Sequence, residues 1–323
     1  RSLAPDYSDL WNYTTPDGDN EQLSEVILAA QFSADKSSRG RYGNTCHLYF
    51  LAKYSELSQM MRDIAGGREY QRLRTTYYMY NVYDMVNDSR FWKSFKTKYA
   101  VNNPAKGSIY QKGDKVVCEK TGKTIPTVFV AYPKGKNGKD DTALYDDKSH
   151  FPSLSKYFDG SREGVTDNVG ARDGILARLG ETYLIAAEAL IRLHEYNDAL
   201  YYINELRKRA AYKTGENRSA YCDGGAAYHS GALGYPSMGD INSYIPENSY
   251  YESNNITPTT AATDLEVTDI HSLPVEDEEI ITKLNYTGDY DRMMCFLLNE
   301  RSRELCGEFL RWVDLARTKT LVA

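Results

Sequence analysis

LARLGETYLIAAEALIRLHEYNDALYYINELRKRAAY, residues 176–212, reads as two amphipathic helices joined by a tight turn. In the first, Leu176, Leu179, Tyr183, Ala187, Leu190 and Ile191 recur at intervals of three and four, the spacing of one helix face. In the second, Ala199, Leu200, Ile203 and Leu206 repeat that pattern. Between them, His194 to Asp198 carries turn and cap chemistry, with Asn197 or Asp198 expected as N-cap. Ala186, Ala187 and Ala189 are small enough to let the two helices approach closely.

The hairpin has the design of a tetratricopeptide-type repeat. Leu179-Gly180-x-x-Tyr183 matches one part of that pattern, and Tyr196 and Ala199 match its later aromatic and alanine. Leu176 stands where the pattern has Trp, and Asn204 where it has Pro. One such hairpin cannot bury its apolar face alone, so packed neighbours are expected elsewhere in the chain.

The chain has 323 residues, 41% hydrophobic and 26% charged, which is the composition of a folded domain. Its net charge is -6 and it has no long basic run, which argues against nucleic acid as a partner. No run of 18 apolar residues is present, so no membrane-spanning helix is expected. The five cysteines (Cys46, Cys118, Cys222, Cys295, Cys306) show no metal-ligand spacing. Cys295 and Cys306 sit on a helical pattern and read as core thiols. Asp17 to Glu21 lacks the alternating ligand spacing of a calcium loop, so neither a metal nor a cofactor is expected. The 28 tyrosines are unusual: each ring offers a flat apolar face and a polar tip, suited to a wet binding surface.

Short strands are expected at 26–33 (VILAAQFS) and 127–132 (TVFVAY), and the alternation of FWKSFKTKY, 91–99, reads as a half-buried strand. Arg62, Arg68, Arg72 and Arg74 are read as partners of local acids and carbonyls. Residues 213–252 are rich in Gly, Ser, Asn and Tyr, and 253–288 read as irregular, with an acidic patch at Glu276 to Glu279. A second helical pair follows. Met293, Phe296, Leu297 and Leu305 mark its first helix, Cys306-Gly307 its end, and Glu308 the start of the next. Glu300 and Glu304 could form an acid/base couple, but Arg301, Arg303, Arg311 and Arg317 interleave with them. A carboxylate–guanidinium lattice that locks helices together is therefore expected, with no acid left over for catalysis.

Asn299-Glu300-Arg301-Ser302-Arg303-Glu304-Leu305-Cys306-Gly307-Glu308, followed by Arg311-Trp312-Val313-Asp314-Leu315 and Arg317, resembles the hallmark motif of the SusD/RagB family. The hairpin at 178–210 and the stretches VILAAQFSAD, HLYFLAKYSEL and REYQRLRTTYYMYNVYDMVNDSR also resemble that family, so the likeness covers nearly the whole chain outside 213–288. The resemblance implies a mainly α fold of tetratricopeptide-like hairpins with long irregular loops and a few short β-strands. It implies one domain over 1–323, divided into a loop- and strand-rich part (1–170), the hairpin (171–212), an insertion (213–288) and the second helical pair (289–318). It further implies a lipid-anchored protein of the outer-membrane cell surface that captures oligosaccharides, or peptides in RagB-like members, for a SusC-like TonB-dependent transporter, without catalysis. Against the family pattern, the lipid-anchored N-terminal part and its first helical repeats are not in this chain.

A sugar presents apolar C–H faces and many hydroxyls, so aromatic rings beside Asn, Asp or Arg would hold it. The ligand-binding candidates chosen on that basis are Trp92, Tyr77, Tyr78, Tyr80, Asn81, Arg90 and Tyr42, with the tyrosines of 221–251 behind them. Three other readings compete: a peptide-binding member, kept open by the 213–252 loop; a glycan-acting enzyme, which needs an unpaired carboxylate that the sequence does not offer; and a helical scaffold that binds only protein.

Overall fold

The computed structural model describes residues 1–11, 17–39, 42–56, 61–62, 67–96, 151–216 and 261–321, and the strand backbone at 98–100, 116–117, 124–125 and 128–130. The remaining residues, among them 217–260 of the insertion, Cys118 and Cys222, lie outside the described part. Helices dominate. In chain order they are α1 (Lys36–Arg39), α2 (Tyr77–Asn81), α3 (Ser89–Ser94), α4 (Leu179–Arg192), α5 (Tyr196–Ala210), α6 (Val275–Lys283), α7 (Asp289–Glu304) and α8 (Arg311–Arg317). The strands are short: β1 (Val26–Ala30), β2 (Phe95–Lys96), β3 (Lys98–Ala100), β4 (Val116–Val117), β5 (Thr124–Ile125), β6 (Val128–Val130), β7 (Ser153–Leu154) and β8 (Gly174–Arg178). They form four two-stranded antiparallel ribbons, β1–β8, β2–β7, β3–β6 and β4–β5.

The expected hairpin is α4–α5. Leu184, Ala187 and Ile191 of α4 pack with Ala199, Leu200, Ile203 and Leu206 of α5 in one buried cluster. The neighbour that the hairpin needs is α7, whose Met293, Phe296 and Leu297 complete that cluster, joined by Ile281 of α6. Three boundaries differ from expectation. Leu176 lies on strand β8 and is exposed, because 174–178 pairs with β1 before the helix begins. The second helix starts at Tyr196 without a side-chain cap, so neither Asn197 nor Asp198 is its N-cap. Residues 275–283 form α6 where irregular chain was expected. Its first turn carries Glu276, Asp277 and Glu278, the placement that complements the positive end of a helix dipole.

A second cluster holds Phe50, Tyr80, Val82, Tyr83, Phe91, Trp92, Phe95, Leu154 and Cys306. Here the expected strand over 91–99 is broken: 89–94 is helix α3, and only 95–96 and 98–100 are extended. The reason is local. The Asp88 carboxylate caps α3 by accepting from the Arg90 backbone N–H at 2.9 Å, and the helix turns Phe91, Trp92 and Phe95 into one core. At the other end of the signature, Gly307 (φ +75°) follows α7, as expected for glycine past a helix end. Glu308 does not open the next helix; α8 begins at Arg311.

The hallmark acids are buried at the meeting point of these elements. Glu300 accepts from Arg90 (2.6 Å), Arg207 (2.9 Å) and Arg303 (2.9 Å). Glu304 accepts from Arg178 (2.7 Å), Arg90 (3.1 Å) and Arg209. Glu308 accepts from Arg178 (2.9 Å) and Lys156 (2.8 Å), while Asp88, Asp277 and Glu25 pair with Arg90, Arg303 and Arg178 respectively. Burial alone would raise these carboxyls. The guanidiniums of Arg209, Arg178 and Arg90 outweigh it and hold Glu304 down to about 2, and Arg90, Arg303 and Arg207 hold Glu300 far below the usual range. The lattice expected from sequence is present, but its reach differs. Glu304 takes its partners from α3, β8 and α5, not from its own helix.

Candidate functional site

Beside this lattice lies an open hollow of about 730 Å³, walled by α2, α6, α7 and α8. Its lining mixes rings, amides and charges: Tyr78, Asn81, Lys283, Tyr286, Asn299 and Arg317 are representative. Tyr78 is fixed from three sides. Its hydroxyl bonds to Asn299 Oδ1 (2.7 Å) and Ser302 Oγ (3.1 Å) and accepts from Arg311 Nη2 (3.3 Å). The Arg311 guanidinium lies 5.2 Å over the ring of Tyr78, and its Nη1 donates to the Leu298 carbonyl. Burial raises the Tyr78 hydroxyl above its usual value, so it stays protonated at neutral pH. Burial likewise raises the Glu276 carboxyl at the rim and pushes the Cys295 thiol up to about 12, which makes that thiol unreactive.

The candidates named from sequence separate. Tyr78 and Asn81 line the hollow together, Asn81 exposed at its edge. Tyr77 packs partly buried against the second core cluster. Tyr42 is exposed on the loop before the Asn44–Gly170 bridge and is not part of the hollow's wall. Trp92, Tyr80 and Arg90 are buried, and their expected role as ligand contacts is corrected on that ground. The Trp92 indole is fully enclosed, edge-on to Phe91, with Nε1 donating to the Met85 carbonyl. Tyr80 accepts a hydrogen bond from Thr75, and Arg90 is spent on Asp88, Glu300 and Glu304. Of the basic set at 62–74, Arg62 pairs with Glu69 and Arg68 donates to the Thr166 carbonyl, as expected, whereas Arg72 and Arg74 lie over the Tyr70 and Phe151 rings.

Sequence reasoning missed Tyr286, Lys283 and Arg311. The first two depend on α6, and the signal for it was present. Pro274, the acidic turn after it, and Ile280, Ile281 and Leu284 at helical spacing mark a short amphipathic helix. Among the described residues no group of His, Cys, Asp and Glu is arranged to hold a metal, and Cys46, Cys295 and Cys306 are free thiols. No described helix is long and apolar enough to cross a membrane.

A helical hairpin stacked on a third helix, with a buried Arg/Glu lattice at the seam, is a mainly α, tetratricopeptide-like frame. The family model described as the SusD family matches residues 24–322, and the chain belongs to that family. Among solved structures the chain is similar to a SusD superfamily protein from Bacteroides fragilis NCTC 9343, at 18% identity and a TM-score of 0.44. That match covers 97% of this chain and 43% of the other, so the chain spans less than half the length of that relative. No curated protein matches the chain.

Proposed function

We propose that this chain is part of a cell-surface nutrient-binding protein that captures oligosaccharides and hands them to a SusC-like TonB-dependent transporter, lipid-anchored at the outer membrane. Membership of the SusD family supports the class, and the hollow beside Tyr78 supports the ligand. Its rigid ring, the Asn81 amide and the mixed cations and carboxylates of α6 and α8 are the groups that hold a sugar's C–H face and hydroxyls. The protein binds and does not catalyse: Glu300 and Glu304, the most conspicuous acid pair, are neutralised by Arg on every side.

The test is calorimetric titration of the protein with a panel of neutral and acidic oligosaccharides, with and without Asn81→Ala. Binding that Asn81→Ala weakens supports the reading. Peptides bound in place of every oligosaccharide would move the ligand to the peptide class, and measurable glycan turnover would overturn the assignment as a binding protein.

A further inference from the structure

The polar hollow has a neighbour of different chemistry. A cavity of about 560 Å³ adjoins it, within the range of small-molecule sites, about 300–1,000 Å³. Tyr78 of α2, with Arg311 and Leu315 one turn apart on α8, line both chambers. Where the hollow offers amides, hydroxyls and charges, the cavity is walled mostly by carbon. Leu73, Leu154 and Leu305 line it together with the rings of Phe50, Phe309 and Trp312. Two of these rings stand open to water, Phe309 at 57% and Trp312 at 70% accessible. Phe309 is held at φ +64°, a strained setting for a bulky residue, with its ring 5.8 Å from that of Phe50. Exposed rings around a concave apolar wall mark a place for an apolar group.

The junction between the chambers offers donors. Arg311 gives one N–H to the Leu298 carbonyl and one to the Tyr78 hydroxyl, and its guanidinium has others to give. Among the described residues no carboxylate pairs with it. The one carboxylate on the cavity wall, Asp314, is already taken by Arg301 and Arg317, each at 2.7 Å. A group crossing from the hollow to the cavity therefore meets a cation with spare N–H groups and no competing acid, and an acceptor oxygen is what fits there.

We infer, on the oligosaccharide reading of the hollow, that the ligand is an oligosaccharide carrying an aromatic acyl ester. The sugar lies in the hollow at Tyr78 and Asn81. The ester carbonyl accepts from Arg311 at the junction, and the acyl ring enters the cavity against Phe309 and Trp312. An ester places a carbonyl oxygen directly between a polar sugar and an apolar group, in the order that the two chambers and Arg311 present. An unsubstituted oligosaccharide leaves the cavity empty, and a free apolar molecule leaves the hollow empty; a ligand polar at one end and apolar at the other uses both.

The test is titration of the complete natural polypeptide with xylotetraose, maltotetraose and tetragalacturonate, each plain and carrying one cinnamoyl ester, with methyl cinnamate alongside. The ester of a bound sugar is expected to bind at least about tenfold tighter than the plain form. Trp312→Ala and Leu73→Asp, both at exposed residues outside the hollow, are expected to erase that gain and leave the plain sugar's affinity unchanged. Plain sugar bound with no gain from the ester, or a gain that survives both variants, overturns the inference and leaves the oligosaccharide reading standing. Failure of every sugar, plain or esterified, overturns both, even where methyl cinnamate binds. Iodide quenching, with Trp312→Phe to isolate the signal, is expected to find Trp312 open before ligand is added and shielded by the ester. Shielding before any ligand, which would mark protein in the cavity, or only as protein concentration rises, which would mark a second copy, overturns the inference.

Discussion

Arg311 and Tyr78 hold one another in place: the guanidinium lies 5.2 Å over the ring while its Nη2 donates to the ring's own hydroxyl at 3.3 Å. The pair stands between the polar hollow on one side and the apolar cavity on the other, and lines both. Tyr78→Phe keeps the ring under the cation but takes the donor from Asn299 Oδ1, while Ser302 Oγ keeps its bond to the Leu298 carbonyl. It is expected to lower stability by about 1–3 kcal/mol, measured by urea unfolding. Arg311→Ala removes the wall itself and is expected to weaken oligosaccharide binding more than Tyr78→Phe does, measured by titration.

Removing one member of a buried ion lattice leaves its partners charged and unmatched. Glu304→Gln leaves Arg90, Arg178 and Arg209 around a neutral amide. The expected loss is about 3–5 kcal/mol in chemical denaturation. A loss below about 1 kcal/mol would mean that the lattice contributes little net stability.

Acid should unfold the protein in two overlapping stages. Burial, reinforced by Arg162, lowers His47 to about 4, against the opposing pull of Asp159. A histidine held neutral in this way stabilises the fold above its unfolded value near 6.5, and that contribution is lost as pH falls toward 4. Glu304, held at about 2, stabilises the fold above its ordinary range near 4.5 and loses that contribution as pH falls toward 2. Each contribution is on the order of 3 kcal/mol. Thermal melts from pH 7 to 3 should show His47→Gln flattening only the upper part of the curve.

Trp92 and Asn81 should behave oppositely. Trp92→Ala empties a fully buried site and is expected to cost about 3–5 kcal/mol by urea unfolding. Asn81→Ala, at an exposed position, is expected to change stability by less than about 0.5 kcal/mol while lowering oligosaccharide affinity several-fold in titration.

Gly307 leaves no room for a side chain. At φ +75° a Cβ would sit 2.2 Å from Leu154 Cδ2. Gly307→Ala is therefore expected to cost about 2 kcal/mol or more in denaturation, through backbone strain and overpacking together.

The hairpin was legible because Leu200, Ile203 and Leu206 repeat at helical spacing and bury as that spacing demands. The lattice was legible in kind but not in partners. Helical spacing pairs Glu300 with Arg303 yet is blind to Arg178 on β8 and Arg209 on α5, which reach Glu304 only in three dimensions. The aromatic candidates failed for a related reason. Composition marks Trp92 and Tyr80 as apolar with a polar tip, which suits a binding platform and a buried core equally; the cap at Asp88 decides for the core. Tyr78 and Asn81 line a hollow whose far wall, α6, was hidden in a stretch read as irregular.

The order in which the lattice is synthesised differs from the order in which it can close. Arg90, Lys156, Arg178, Arg207 and Arg209 leave the ribosome before any of Glu300, Glu304 and Glu308. Until those acids arrive, Lys156 and Arg207 lack their carboxylate partners, while Arg90, Arg178 and Arg209 have only Asp88 and Glu25 to balance them. The seam between α3, β8, α5 and α7 is therefore complete only once α7 and Glu308 have been made.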